Sequence, residues 1–317
     1  MDVSILFATC NRDEILKRTL DSLCQLNYKN LNLEILVIDN AVKTSTKLLV
    51  ESYHSLLPIQ YLEQSIPGKN HALNKGLSKA SGELLVFTDD DIIATPEWIQ
   101  ALLKGSNNWP NHDLFGGKIL PDYPAEKPDP RIDFNHSMIP SAYVILNDDT
   151  PESEISVGKI WGPNMAVRKR VFESGLIFDP NIGPNGKNYV MGSETDFLYR
   201  AADAGYRAVY IPTAVVSHQI RPEQLTIDWI TQRAFRQGKG SVAIAKTKNQ
   251  LKDFKMLMGA PRFLYKKIIM SYILNYFNVI TLNKEKRFHH LIHYYYYKGQ
   301  LAQYQIISKE KLLSDNT

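Results

Sequence analysis

Leu84-Leu85-Val86-Phe87-Thr88-Asp89-Asp90-Asp91 is an apolar run that stops on three carboxylates. The four apolar residues read as a buried strand, and the acids as what that strand delivers at its end. Three adjacent carboxylates repel one another, so a fold holds them together far better beside a bound cation or an array of donors. Oxygen ligands of this hardness suit Mg2+ or Mn2+ better than zinc. Taken alone, the run reads equally well as a solvated acidic turn, and its surroundings must separate the two readings.

On its N-terminal side, β-branched runs alternate with helical patterns, which argues for βα units around a largely parallel sheet. Val3 to Phe7 reads as a first strand. Asn11 follows as a cap for a helix carrying Leu16, Leu20 and Leu23 on one face. Ile35 to Ile38 makes the next strand, ending in Asp39-Asn40. After the breaker Pro67-Gly68, a helix takes Ala72, Leu73, Leu77 and Ala80. Thr95-Pro96-Glu97 supplies cap, first-turn proline and first-turn acid for another helix. Farther on, 110–151 reads as long loops with a strand near Leu114 to Leu120, and Ile160 to Val167 as extended. Ser193 to Ala204 reads as helical, and Ala208 to Ile211 and Ala214 to Val216 as two short strands.

The chain has 317 residues, 44% hydrophobic and 22% charged, which excludes disordered and collagen-like classes and allows a substantial core. Cys10 and Cys24 flank a helix without CxxC spacing, so neither a zinc site nor a disulfide framework is expected, and a reducing cytoplasm fits. Met1-Asp2 leads straight into a strand with no basic n-region, arguing against a secretory signal, and no apolar run reaches the length of a spanning helix. Charge is uneven. The net is +4, yet residues 246–298 hold 11 basic and 2 acidic side chains, leaving the remainder mildly acidic.

In an open parallel sheet, ligands bind outside the carboxyl ends of the strands. The polar residues gather there: Thr9, Asn11 and Arg12 after the first strand, Asp39 after the second, Asp89, Asp90 and Asp91 after Phe87, and His218 after Val216. Singly each has a bland reading, as cap, turn residue or strand-end histidine; together they point to one site. No GxGxxG follows the first strand and no GxxxxGK[ST] occurs, so a dinucleotide Rossmann site or a P-loop is disfavoured. A phosphate grip then falls to metal, Lys69 and helix amides. Gly192-Ser193-Glu194-Thr195-Asp196-Phe197 offers a second acidic cluster. It reads as a capping box from Ser193 to Asp196, and also as a helix start that aims Glu194 into a cleft.

In this order the pieces resemble a family 2 inverting glycosyltransferase with the GT-A fold. The resemblance rests on Val3 to Arg12, Glu34 to Asn40, Gly68-Lys69 through Ala72-Leu73-Asn74-Lys75-Gly76-Leu77, Leu84 to Asp91, Trp161-Gly162-Pro163-Asn164-Met165-Ala166, and Gly192 to Phe197, spanning about residues 1 to 245. It implies a Rossmann-like α/β domain with a mixed, mainly parallel sheet flanked by helices. Residues 1–110 would form its nucleotide-sugar half and 111–245 its acceptor half, with a helical, basic C-terminal extension over 246–317. Family members commonly carry an aromatic where Cys10 stands, often an Arg where Leu73 stands, and usually an Asp base where Glu194 stands. Gln232-Arg233-Ala234-Phe235-Arg236-Gln237-Gly238 departs from the Gln-x-x-Arg-Trp element of processive synthases, so a non-processive enzyme is expected.

The resemblance implies transfer from a nucleoside-diphosphate sugar, expected to be a UDP-sugar, to a hydroxyl of a glycan or lipid-linked acceptor, as in surface polysaccharide or glycoconjugate synthesis. Glu194 would be the catalytic base. Thr9, Asn11, Arg12, Asp39, Lys69, Asn74, Asp89 and Asp90 would bind the nucleotide sugar. Trp161, Gly162, Asn164 and Asp196 would face the acceptor. Asp89, Asp91 and His218 would hold Mn2+ or Mg2+. A nucleotide-sugar-binding protein without turnover is the alternative, and a sugar nucleotidyltransferase is disfavoured by the missing glycine-rich, basic loop after the first strand. The basic, aromatic segment 250–317 has two readings, a surface for an anionic membrane on its cytoplasmic face or helices packed with a solvated basic side. No nucleic-acid-binding motif accompanies the charge.

Overall fold

The computed structural model describes residues 2–183, 191–247, 250–251 and 253–314. In chain order its first elements are β1 (Val3–Thr9), α1 (Asp13–Leu23), β2 (Leu33–Asp39), α2 (Thr44–Glu51), β3 (Ile59–Glu63), α3 (Lys69–Leu77) and β4 (Leu84–Phe87). Then come β5 (Ile92–Ala94), α4 (Trp98–Asn108), β6 (Leu114–Asp122), α5 (Ile139–Tyr143), β7 (Ser153–Ile155), β8 (Met165–Arg168) and α6 (Lys169–Glu173). The remainder is α7 (Ser193–Asp203), β9 (Ala208–Gln219), α8 (Ile227–Thr247), a β10–β11 hairpin (Met256–Leu257, Ala260–Pro261), α9 (Arg262–Ile280) and α10 (Lys284–Ser314). Two compact units divide the chain: Met1–Tyr123 with Tyr143–Lys187 and Ser193–Gln219, and Pro124–Ala142 with Asn188–Gly192 and Ile220–Thr317.

The first unit is built on one mixed sheet in the order β3-β2-β1-β4-β8-β6-β9-β5, with β7 also on β9. Strands β3, β2, β1 and β4 run parallel, as the alternation of strands and helices predicts. Side chains of β1 alternate between two apolar layers, Val3, Ile5 and Phe7 on one side and Leu6 on the other. Helices cover both faces: α1 and α4 bury Leu16, Leu20, Trp98 and Leu102 in the first layer, while α3 and α7 bury Leu73 and Phe197 in the second. Register places Thr9 beside Asp39, and Leu6 beside Phe87, so the polar ends of β1, β2 and β4 emerge together.

Several local expectations are corrected. Asn11 does not cap α1; it takes a left-handed conformation (φ 58°), with Arg12 at the cap position and Asp13 and Glu14 in the first turn to meet the helix dipole. Thr95 does not cap α4: the helix begins at Trp98 with Glu97 at the cap position, and the Thr95 hydroxyl donates to the Val215 carbonyl at 2.9 Å. Within 160–167 only β8 is a strand. Gly162–Asn164 forms a 3-10 turn, Pro163 having no amide to give a ladder. The two short strands expected at 208–216 are one strand, β9, paired with β6 across a register shift at Gly117/Lys118. Beyond its own helix, the Ser193 hydroxyl donates to Asn70 Oδ1, and Asp196 accepts from Arg200 at 2.9 Å.

The second unit is mostly helical, as the change in composition near residue 246 predicts, and also includes 220–245. Its helices α8 and α10 meet backbone to backbone. A Cβ on Gly238 would strike the Tyr296 carbonyl, and one on Gly299 the Phe235 carbonyl.

Candidate active site

Both acidic clusters lie in the first unit, and one side chain joins them. Asn40 starts this arrangement: its Oδ1 accepts the Gly68 amide at 2.7 Å while its Nδ2 donates to the Gln64 and Ile66 carbonyls. Gly68 can follow because its φ of 134° is open to glycine and strained for other residues. The turn so fixed launches α3 with Lys69 as its first residue. Lys69 Nζ donates to Asp89 Oδ1 at 2.5 Å and lies 2.6 Å from Glu194 Oε1. Glu194 and the acid triplet are therefore within a single cation's reach of each other. Burial disfavours the charged amine, but Asp89 and Glu194 outweigh it and raise the Lys69 pKa, so it stays protonated.

The three carboxylates have separate surroundings. Asp89 is the part-exposed one and faces Lys69. Asp90 is buried, accepting from Thr9 Oγ1 at 2.7 Å and from Arg12 at 3.0 Å. Desolvation, only partly offset by Arg12, pushes its pKa up to about 6. Asp91 Oδ2 takes the same guanidinium at 3.2 Å, and its Oδ1 lies 3.4 Å from His218 Nε2. Arg12, gripped by Asp90 with Asp91 and Asp89 nearby, has its own pKa raised.

His218 tests whether the site suits a metal. Its Nδ1 meets the Tyr143 carbonyl at 2.7 Å and donates to it, which puts the lone pair of a neutral ring on Nε2, toward Asp91. An imidazole oriented by a backbone carbonyl beside a carboxylate is the usual support for a bound divalent ion. Burial opposes the imidazolium, yet Asp91, with Asp89 behind it, raises the His218 pKa overall, so protons compete for the same nitrogen. Asp91 and one imidazole stand together as donors of a kind that Mn2+ or Mg2+ can use, while Asp89 Oδ1 is held by Lys69.

Other candidates are differently placed. Asp39 is fully buried and accepts from the Ala41 amide (2.8 Å), the Lys43 amide (2.7 Å) and Tyr61 Oη (3.0 Å), shaping the loop after β2. Asn74 pairs with the Phe178 backbone in both directions. Asn164 is fully buried and spends every polar group on the fold: it accepts from Trp98 Nε1 and donates to the Lys118 and Ala214 carbonyls, all at 2.9 Å. Those two carbonyls flank the β6–β9 register shift. Asp196 is buried with Arg200. Trp161 packs part-buried against the first core layer. Asn11 is exposed beside Cys10, its amide 3.7 Å from the thiol sulfur. Gly162 lies against the catalytic candidate: a Cβ there would come within 2.8 Å of the Glu194 carboxylate.

Sequence reasoning missed Asn70 and Tyr61. Asn70, next to Lys69, holds the Asp179 and Ile182 carbonyls and the Ser193 hydroxyl, tying α3 to the start of the Glu194 helix. Its signal was only adjacency to the cationic residue. Tyr61 sits two residues from the end of β3, and only the β2–β3 register brings it to Asp39.

A family model described as glycosyl transferase family 2 matches residues 4–175. Glucosyl-dolichyl phosphate glucuronosyltransferase of Haloferax volcanii is 25% identical over 245 residues, 75% of each chain. Succinoglycan biosynthesis protein ExoM of Rhizobium meliloti is 25% identical over 243 residues, covering 75% of this chain and 74% of that one. Among solved structures, the mannosyltransferase PcManGT from Pyrobaculum calidifontis, in complex with GDP-Man and Mn2+, superposes with a TM-score of 0.63 at 17% identity, covering 95% of this chain and 86% of that one. S. aureus TarS 1-349 in complex with UDP-GlcNAc gives 0.54 at 14%, covering 99% and 92%. The architecture is the mixed, mainly parallel GT-A sheet expected from the sequence.

Proposed function

Because the chain belongs to glycosyl transferase family 2, we propose that it moves a sugar, with inversion, from a nucleoside-diphosphate donor, UDP-linked in the first instance, to a hydroxyl of a glycan or lipid-linked acceptor. One observation carries this reading: Lys69 touches both Asp89 and Glu194, so donor-side acids and candidate base share one site.

Glu194 accepts the proton of the acceptor hydroxyl as its oxygen attacks the anomeric carbon. The bond from that carbon to the diphosphate oxygen breaks on the opposite side, and its electron pair leaves with the nucleoside diphosphate. Lys69 and Arg12, the cations facing the acids, are suited to the charge that builds on the leaving group. Asp89, Asp91 and His218 would hold Mn2+ or Mg2+, which when bound supplies Lewis-acid charge neutralisation to the diphosphate. Asp90 and the loop shaped by Asp39 serve ribose and base, and Thr9 and Asn74 hold the walls that receive them. Trp161 and Gly162 border the base on the acceptor side.

Relatives with dolichyl-phosphate and polysaccharide names favour a glycoconjugate acceptor. A membrane surface is the reading of the tail that α9 favours. Ile269, Tyr272, Ile273, Tyr276, Phe277 and Ile280 are all exposed, among basic neighbours Arg262, Lys266 and Lys267. Among the described residues no helix is long and apolar enough to cross a membrane; in the proposed reading the segment lies on a membrane surface, at its cytoplasmic face.

The test is turnover of a nucleotide-sugar panel with Mn2+, with Mg2+ and with chelator, reading the product anomer by NMR. An inverted product that disappears on chelation agrees with the proposal. A retained anomer, or donor binding with neither transfer nor hydrolysis, contradicts it, the latter being what a turnover-free binding protein would give.

A further inference from the structure

The second unit holds a cluster that the transfer chemistry does not use. His289 and His293 stand one turn apart on α10, four residues being the spacing that puts two side chains on one helix face. His136, from the segment before α5, joins them: its Nε2 is 3.1 Å from His289 Nδ1, and one ring nitrogen from each of the three lies within 4.8 Å of the others. We propose that His136, His289 and His293 form a binding site for a zinc-class divalent cation, separate from the acid cluster and independent of the transfer reaction.

Geometry favours it. Nitrogens on a tetrahedral zinc, at bonds of about 2.0–2.1 Å, sit roughly 3.3–3.4 Å apart. The His136–His289 pair is already near that spacing, and the third ligand closes by rotation of its side chain. Donor chemistry selects the ion: three imidazoles suit Zn2+ or Co2+, while Mg2+ and Mn2+ prefer the carboxylates of the other site. His289 is exposed and the other two are half-buried, which gives entry from solvent and leaves a fourth position for water. Tyr297 Oη lies 3.3 Å from His293 Nδ1 and can orient that ring from behind. Burial and the neighbouring imidazoles hold His293 low, at about 4, and His136 below its usual value, so lone pairs are available at neutral pH.

Loading has a local cost. The Met138 amide donates to His136 Nδ1 at 3.2 Å, so the ring proton sits on Nε2, facing His289. Ligation through Nε2 moves that proton to Nδ1 and gives up the Met138 contact. In return, the ion would fasten the 124–142 segment to α10 within the same unit.

The test uses the full chain carrying Asp91→Asn, which disables the acid site, titrated with Co2+ and Zn2+. The expected result is one equivalent of Co2+ with the visible bands of a tetrahedral site, displaced by Zn2+, and a Zn2+-dependent rise in melting temperature. His136→Gln and His293→Gln should each weaken binding by roughly tenfold or more, by analogy with the loss on removing metal-site contacts. Absence of tetrahedral bands, or Zn2+ affinity unchanged in both histidine variants, overturns the proposal. Should those variants not fold, the Asp91→Asn chain alone decides: one bound equivalent with the tetrahedral spectrum supports the site, none overturns it. Sugar transfer does not enter the readout, so this outcome stands apart from the fate of the glycosyltransferase reading.

Discussion

Asp90 is the residue at which the fold and the site pull in opposite directions. Its folded pKa of about 6 lies above the ordinary aspartate value, so between the two the folded state binds a proton that the unfolded chain has released. Stability from this group is complete at low pH and is lost as pH rises through about 6, at a cost on the order of 2–3 kcal/mol at neutrality. Asp90→Asn should therefore melt higher than the parent at pH 7, measured with chelator present, and the gap should close as pH falls toward 4. A variant that melts lower across the range would contradict this account. Lys69 gives a binding prediction. Hydrogen bonds to charged groups contribute about 1.5–3 kcal/mol, so Lys69→Met should weaken nucleoside diphosphate binding by roughly 10- to 100-fold while leaving nucleoside binding nearly unchanged, as calorimetry can read. Equal losses for both ligands would remove Lys69 from the phosphate.

Among the elements, Asn164 tests why the β6–β9 register shifts where it does. Its amide fills the space beside Gly117 and takes up the Lys118 and Ala214 carbonyls that the shift would strand, while Trp98 donates to it. Asn164→Ala leaves these buried groups without that partner, and each such loss costs about 1–3 kcal/mol. A drop of roughly 3 kcal/mol or more in denaturant unfolding is expected, and a loss below about 1 kcal/mol would contradict it. The same residue marks the limit of what the sequence could say. Strands β1, β2 and β4 were legible because their apolar runs end in polar residues, and so was the gathering of Thr9, Arg12, Asp89, Asp90, Asp91 and His218. The bonds of Asn164 to the fold were not legible, because a motif does not reveal which carbonyls a bulge exposes. The expected caps failed on backbone geometry that local sequence does not carry: Asn11 takes a left-handed conformation with Arg12 at the cap position, and α4 starts later than Thr95, with Glu97 at its cap position. The His136–His289–His293 cluster joins residues 153 apart in sequence, a pairing that no local pattern carries.

For the whole molecule, part of the uneven charge lies in α9, where Arg262, Lys266 and Lys267 share a helix with exposed apolar side chains. Ile273→Glu with Phe277→Glu should abolish flotation of the full chain with anionic vesicles and leave turnover on a soluble acceptor unchanged. Equal flotation of parent and variant would end the membrane reading. The reaction itself depends on a carboxylate that readies the acceptor beside acids that hold the donor. Its most direct measurement is Glu194→Gln, with kcat and donor affinity determined on the same folded protein. The account predicts a fall in kcat of roughly 10² to 10⁴-fold with donor affinity nearly intact. Parent-like turnover in the folded variant would contradict it.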